Sequence, residues 1–120
     1  MPPKGTPIRP DILDLYRKLV ATQPDVEVKG ATMPYTSVNG NMFSFLSGEG
    51  QLNLRFSKSD LAAFLEKHDA KQSVQHGVVM KEYAAVPDKL LRTVDVLTPY
   101  FRQSYTYAKR LKPKATKRVK

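Results

Sequence analysis

The chain has 120 residues and contains no cysteine and no tryptophan. Without cysteine it cannot form a disulfide framework, a zinc ribbon or a reactive thiol. No apolar stretch is close to the length of a transmembrane helix, which needs about 18 apolar residues. The N-terminal stretch MPPKGTPIRPD also lacks the apolar run of a signal peptide. From these absences we expect a cytoplasmic protein that does not bind membranes.

The hydrophobic content of 41% in 120 residues is enough for one compact core. The first eight residues contain three prolines and one glycine, so we expect a flexible lead-in over residues 1–9. Periodic apolar patterns then run from residue 10 to residue 111 and predict a single domain. Residues 112–120 are expected to form a basic, flexible tail.

The net charge of +9 is unevenly distributed along the chain. The segment from 109 to 120 contains no acidic residue and seven basic ones: Lys109, Arg110, Lys112, Lys114, Lys117, Arg118 and Lys120. The other 108 residues carry 13 basic and 11 acidic side chains. The domain is therefore nearly balanced, and its basicity belongs to the C-terminal segment.

The stretch TSVNGNMFSF, residues 36–45, predicts a β-hairpin. Asn39 and Gly40 lie between two runs of strand-forming residues, and both tolerate the positive φ that a type I′ turn requires. A phosphate-binding loop would need several glycines leading into a helix, whereas this one leads into a strand.

The apolar residues of three other stretches alternate or cluster in the way that is typical of β-strands. VEVKGA (26–31) alternates valine with charged residues, and QLNLRF (51–56) directs Leu52, Leu54 and Phe56 inward and Asn53 and Arg55 outward. VVMKEYAAV (78–86) predicts a last strand whose two faces are less clearly divided. A polar stretch between residues 70 and 77 is interpreted as a link.

Helices are predicted at the start, middle and end of the domain. Ile12, Leu15, Tyr16 and Leu19 follow a helical period from Pro10, and Ser57 with Asp60 has the pattern of a capped helix start. A short helix is expected near 88–93. A longer one should begin at Asp95 or Thr98, with Pro99 in its first turn, and run to about Leu111.

These elements predict an α+β fold: a two-layer domain in which a mainly antiparallel sheet of about five strands packs against helices, in the order α-β-β-β-β-α-β-α. We find no internal repeat.

The stretches SVNGNMFSFL, QLNLRF, MKEYAAVP and YFRQSYTYAKRLKPK resemble the N-terminal domain family of the TfoX/Sxy competence regulators in order and spacing. The resemblance covers about residues 10–112. It implies a small two-layer α+β domain in a bacterial, cytoplasmic and non-enzymatic protein. The regulators that give the family its name influence transcription of DNA-uptake genes.

The sequence gives little support to an enzyme or a metalloprotein. His68 and His76 are eight residues apart with no cysteine between them, which differs from the closely paired ligands of zinc sites. No serine lies in a G-x-S-x-G motif. We therefore assign no catalytic residue, no metal ligand and no cofactor, and interpret His68 as structural.

The C-terminal segment has two interpretations. Its seven basic residues, from Lys109 to Lys120, could bind a phosphate backbone without reading sequence, or they could simply keep the protein in solution. Tyr100, Phe101, Tyr105 and Tyr107 lie among basic residues, as in single-strand-binding proteins, but their helical spacing favours the core and its rim.

Three hypotheses follow, of which the third, an enzyme or a small-ligand binder, depends on a pocket that sequence alone does not reveal. The first is a regulatory or protein-interaction module of the TfoX N-terminal type, which binds a partner or a second copy through a sheet edge or the polar face of the sheet. The second is a nucleic-acid-associated protein held on phosphates by its basic tail.

Overall fold

The computed structural model describes residues 10–30, 33–47, 50–75 and 77–112. These residues form four helices and five strands, which are, in chain order, α1 Pro10–Val20, β1 Tyr35–Val38, β2 Asn41–Leu46, β3 Leu52–Arg55, α2 Lys58–Lys67, β4 Lys71–Gln75, β5 Val78–Val86, α3 Asp88–Leu91 and α4 Val94–Arg110. The lead-in expected over residues 1–9 and the tail from residue 113 onward lie outside the described residues.

The five strands form one antiparallel sheet in the order β1-β2-β3-β5-β4. The predicted α+β class is confirmed, because helices α1, α2 and α4 pack against this sheet. Each strand neighbours the next along the chain except where β5 inserts between β3 and β4. The connection through α2 therefore carries the chain past the place of β5 to the outer edge.

One predicted strand was wrong and one real strand was missed. In the described residues 26–30 the backbone meets β1 only through a bridge between Lys29 and Tyr35, and Gly30 then turns the backbone at a φ of +87°. Its alternation is nevertheless reflected in burial, since Val26 and Val28 pack against the core. The missing strand is β4, which lies in the polar stretch interpreted as a link.

The predicted β1–β2 hairpin is confirmed. Val38 pairs with Asn41, and the two residues between them have the required positive φ, 55° for Asn39 and 79° for Gly40. Their role is to fix the register of β1 on β2.

The core lies between the sheet and the helices. Leu54 of β3 and Ala84 of β5 face it opposite each other, beneath Leu97 and Phe101 of α4. The largest fully buried side chains are Tyr16, Phe43, Phe45, Phe56, Phe64, Phe101, Leu19, Leu46, Leu52, Leu54, Leu91 and Leu97.

The other face of the sheet is less exposed than the alternation of β3 suggested. Asn53 was expected to point outward, but it is fully buried beside its register partner Phe45. Tyr83 packs edge-on against Phe45 and is also buried. The amide of Asn53 donates to the carbonyl oxygen of Gln51 at 2.9 Å. The prediction that Asn53 points into solvent is therefore wrong, and this face of the sheet has buried side chains of its own.

The two C-terminal helices occur as expected, but the position of Pro99 differs. Helix α4 begins at Val94, so Pro99 is its sixth residue rather than part of its first turn. Next to Pro99, the Thr98 hydroxyl donates to the carbonyl oxygen of Val94 at 2.9 Å.

Across the described ranges, none of the helices is at once long enough and apolar enough to cross a bilayer.

Candidate interaction surfaces

The β4–β5 hairpin extends past the end of the sheet. Strand β3 pairs with β5 as far as Tyr83, and the N–H of Phe56 adds one bond to the carbonyl oxygen of Glu82. Residues 78–81 of β5 lie beyond these partners, and within them Val78 and Val79 pair with the end of β4. We call residues 74, 75 and 77–81 the projecting hairpin.

The projecting hairpin is apolar and exposed. Val74 and Val79 are register partners, and 54% and 52% of their surface is accessible to solvent. Val78, beside the turn, is 65% exposed. A two-stranded ribbon is only marginally stable alone, so three exposed valines at such a site favour a surface that is covered in an assembly.

The two edges of the sheet differ. Beyond β1, the N–H of Lys29 donates to Tyr35 at 2.8 Å and the N–H of Tyr35 donates back at 2.9 Å, so this edge is partly protected. No strand in the described ranges pairs with the outer side of β4. Open strand edges pair readily with other chains.

A shallow groove runs beside the projecting hairpin, and its lining residues are Arg55, Lys58, Met80, Lys81, Glu82 and Tyr83. Within it, the Nε of Arg55 donates to the Glu82 carboxylate at 2.7 Å. Arg55 also donates to the carbonyl oxygen of Met42, at 3.3 Å, and the Tyr107 hydroxyl donates to Glu82. The cluster thereby connects β2, β3, β5 and α4.

The chemistry of this cluster is that of a structural network. Burial raises the pKa of Tyr83 to about 12, and burial together with the bond to Glu82 raises the pKa of Tyr107. Both phenols are thus protonated at neutral pH. The guanidinium of Arg55 lies against the Glu82 carboxylate, so its charge is compensated locally, whereas Lys58 and Lys81 give the groove a positive lining.

His68 lies in a second cluster, where α2 meets α4. Its ring packs against Phe64 and Tyr100, and its Nε2 is 2.9 Å from the Tyr100 hydroxyl. Burial lowers the pKa of His68, with smaller contributions from the cations of Lys67 and Lys89. This geometry agrees with the structural role expected for His68, whereas His76 lies outside the described residues.

Acidic and histidine side chains do not gather elsewhere in the described part of the chain: it has no group of three or more His, Cys, Asp or Glu residues that could hold a metal ion.

The structure describes three of the seven residues proposed to bind nucleic acid. Lys109 and Arg110 are exposed in the last turn of α4, and Lys112 follows them. Lys114, Lys117, Arg118 and Lys120 lie outside the described residues. The amide of Asn41 donates to the carbonyl oxygen of Lys112 at 3.1 Å, so the segment leaves the domain beside the β1–β2 hairpin.

Arg102 extends this basic surface along α4. It is exposed two turns before Arg110, and both line a groove with Asp60, Pro99, Gln103 and Thr106. The predicted core and rim positions of the aromatic residues are confirmed, since Phe101 is fully buried and Tyr100 and Tyr105 pack against the core. These rings are therefore not free to stack on bases.

Sequence reasoning missed the projecting hairpin and the Arg55–Glu82–Tyr107 cluster. The hairpin depended on recognising β4, whose sequence KQSVQ has one strand-forming residue. The cluster joins residues more than 20 positions apart, and nothing in their local sequence indicates the contact.

In comparisons with known proteins, no family model and no curated protein matched this chain.

Proposed function

We propose that this chain is a non-enzymatic protein-interaction module that binds its partner through the projecting hairpin and the adjoining edge of β4. The observation that carries the proposal is the exposure of Val74, Val78 and Val79 on a ribbon that β3 does not support. Burying such side chains releases ordered water, and each valine can contribute about 1–2 kcal/mol when covered.

The polar clusters of the domain favour a binding module over an enzyme. The Arg55–Glu82 pair and the His68–Tyr100 pair are both satisfied by neighbouring protein groups and tie elements of the fold together. Neither pairs an activated nucleophile with a base beside a deep pocket.

We further propose that the domain is of the TfoX N-terminal type, in a cytoplasmic bacterial regulator. Four stretches support the resemblance by falling on consecutive parts of one sheet and its closing helix. SVNGNMFSFL spans the β1–β2 hairpin, QLNLRF contains β3, MKEYAAVP ends β5, and YFRQSYTYAKRLKPK begins within α4.

The interaction can be tested by photo-cross-linking in cells. A photoactivatable phenylalanine analogue is placed at position 79 of the projecting hairpin or, as a matched control, at position 62, which is exposed on α2. We expect a discrete cross-linked product from position 79 and not from position 62. Equal labelling at both positions, or no product at 79, would contradict the proposed function.

A second candidate function is binding to a nucleic-acid backbone. It is favoured by the exposed Arg102, Lys109, Arg110 and Lys112, which continue the basic segment onto the folded domain. Cations of this kind bind phosphates with an affinity that falls steeply with salt.

The test of this second function is binding of full-length protein to random-sequence duplex DNA and RNA between about 50 and about 200 mM salt. Deletion of residues 112–120 should abolish binding. Arg102→Gln should lower the salt slope by about one, because it removes one phosphate contact. Absence of binding at the lowest salt would eliminate this candidate.

A further inference from the structure

The groove beside the projecting hairpin has a buried base and an exposed rim. Tyr83 is buried at its base, and the guanidinium carbon of Arg55 lies over the Tyr83 ring, 5.8 Å from the ring centre. Lys58, the first residue of α2, and Lys81 of β5 are exposed and form the rim. The groove has a volume of about 630 Å³, within the range of about 300–1,000 Å³ that ligand sites span.

The charges of the groove are not balanced. Its lining carries three cations and one carboxylate, and that carboxylate, Glu82, is bound by Arg55. Within the described ranges, neither Lys58 nor Lys81 has an acidic side chain at ion-pair distance. Asp60, the next acid along α2, lines the separate groove on α4. The rim therefore presents two positive charges that the described residues do not compensate.

Apolar surface adjoins these cations. Met80 is half-buried in the groove, and Val78 and Val79, which precede it in β5, are 65% and 52% exposed. The described residues of the projecting hairpin contain no acidic side chain, and Lys81 carries their one charge. A partner that covers this surface must supply apolar side chains for the hairpin and negative charge for the groove.

We propose that the projecting hairpin and the groove bind a segment of another protein in which aspartate or glutamate residues are interspersed with apolar ones. This inference rests on the proposed function and names the chemistry of the partner. Carboxylates of the segment lie between Lys58 and Lys81, and its apolar side chains cover the valines of the hairpin. Complementary charges of this kind accelerate association and select the partner.

A nucleic acid fits the same surface less well. Its phosphates match the lysines, but its backbone has few apolar groups with which to cover the valines. Single strands are held largely by stacking of their bases on free aromatic rings. The Tyr83 ring is buried beneath Arg55, and its hydroxyl donates to the carbonyl oxygen of Met42 at 2.8 Å. The observations therefore favour an acidic protein segment at this site.

Fluorescence anisotropy of two labelled peptides with the full-length protein tests the proposal. The peptides have the same length, and one alternates glutamate with valine whereas the other alternates lysine with valine. In about 150 mM salt we expect the glutamate peptide to bind with a dissociation constant below about 1 mM, and the lysine peptide at least about tenfold more weakly. Equal affinities, or no binding of the glutamate peptide at about 1 mM, would overturn the proposal.

Charge reversal locates the binding. Lys58→Glu with Lys81→Glu should weaken binding of the glutamate peptide by at least about tenfold, because two attractions become repulsions. The matched control is Lys18→Glu with Lys67→Glu, which changes the net charge equally at exposed positions outside the groove. It should change the affinity by less than about twofold, since these charges are distant and screened. If both double variants weaken binding alike, the peptide responds to net charge or to the basic segment, and the proposal is wrong.

Two measurements guard the interpretation of the reversal. Circular dichroism melting curves establish that each variant is folded, and Lys58→Gln with Lys81→Gln, which adds no repulsion, should weaken binding by a smaller factor than the reversal. Oligothymidylate at the same concentration of negative charge should displace the glutamate peptide less effectively than unlabelled peptide does. Equally effective displacement would make the groove a general polyanion site and overturn the assignment to an acidic protein segment.

The cross-linking experiment at position 79 separates failure of this inference from failure of the proposed function. A product whose yield falls in the Lys58→Glu, Lys81→Glu variant, and whose captured segment contains aspartate or glutamate among apolar residues, supports both. A product whose yield this variant leaves unchanged retains the interaction module and refutes the acidic partner. Absence of a product contradicts the proposed function itself.

Discussion

His68 and Tyr100 join α2 to α4 through a hydrogen bond of 2.9 Å and an edge-to-face ring contact with 5.1 Å between centroids. A neutral imidazole can accept the Tyr100 proton at Nε2, and protonation removes that option. Burial and the nearby cations of Lys67 and Lys89 lower the pKa of His68 below its ordinary value of 6.5. The pair therefore couples the stability of this helix contact to pH.

The first prediction concerns that pH dependence. Since folding lowers the pKa of His68, the unfolded chain binds the proton more readily than the folded chain. The stability contributed by neutral His68 is complete above 6.5 and is lost as the pH falls from 6.5 through the lower folded value. Urea unfolding of the wild type and of His68→Gln at several pH values measures this loss.

We expect the wild type to lose more stability than His68→Gln over this range, because the carboxylates common to both cancel in the difference. Equal losses would show that His68 does not titrate differently in the folded state. An NMR titration of the imidazole, assigned with His76→Gln, gives the pKa of His68 independently.

The second prediction concerns the hydroxyl groups buried between α1 and the sheet. The Tyr16 hydroxyl is 2.7 Å from the Ser44 hydroxyl, which also bonds Thr36, and all three residues are fully buried. Ser44→Ala would leave the hydroxyls of Tyr16 and Thr36 without this partner and should cost about 1–3 kcal/mol of unfolding free energy. Equilibrium denaturation measures the loss.

The matched variant is Tyr16→Phe combined with Ser44→Ala. This pair removes both hydroxyls, so its cost should be smaller than the sum of the two single costs. Additive costs would show that the hydrogen bond between the two side chains contributes nothing to stability.

The sequence predicted those parts of the fold whose signals are local. The i, i+3, i+4 spacing of Ile12, Leu15 and Tyr16 reflects a single buried helix face, and α1 forms there. Ser57 caps α2 as its spacing to Asp60 indicated, with the Asp60 N–H 3.3 Å from the Ser57 hydroxyl. The positive φ at Gly40 and its neighbour fixed the hairpin in the same way.

The parts that escaped prediction depend on tertiary contacts. Strand β4 exists because β5 pairs with it, although lysine, serine and glutamine have weak strand preference. Residues 26–31 have a strand-like alternation, but among the described residues 26–30 only Lys29 pairs with β1. The projecting hairpin escaped prediction for the same reason, because the exposure of Val74 and Val79 depends on where β3 ends.

The third prediction concerns the β1–β2 turn. Gly40 has a φ of +79°, a backbone conformation that is strained for a residue with a Cβ. Gly40→Ala should therefore destabilise the domain by about 1–2 kcal/mol. Thermal melting measures the effect. Gly77→Ala is an informative comparison, because Gly77 has a similar φ of +78° and nothing lies within 4 Å of the position that its Cβ would take. If Gly40→Ala leaves the stability of the domain unchanged, the turn does not restrict the register.

The final prediction concerns Pro99, the sixth residue of α4. Proline lacks the N–H that would bond the carbonyl oxygen of Asp95, and its ring presses on that turn, at a cost of up to about 3 kcal/mol in a helix interior. Pro99→Ala should restore the bond and raise the free energy of unfolding by about 1–2 kcal/mol, because proline also restricts the unfolded chain. Denaturant titration at neutral pH measures the gain.

Thr98→Val provides the control, because it removes a hydroxyl bond to Val94 that does not involve the carbonyl oxygen of Asp95. It should lower the stability of the wild type and of Pro99→Ala by the same amount. If Pro99→Ala lowers stability instead, the contacts of Pro99 in the groove with Arg102 and Arg110 outweigh the cost of the missing backbone bond.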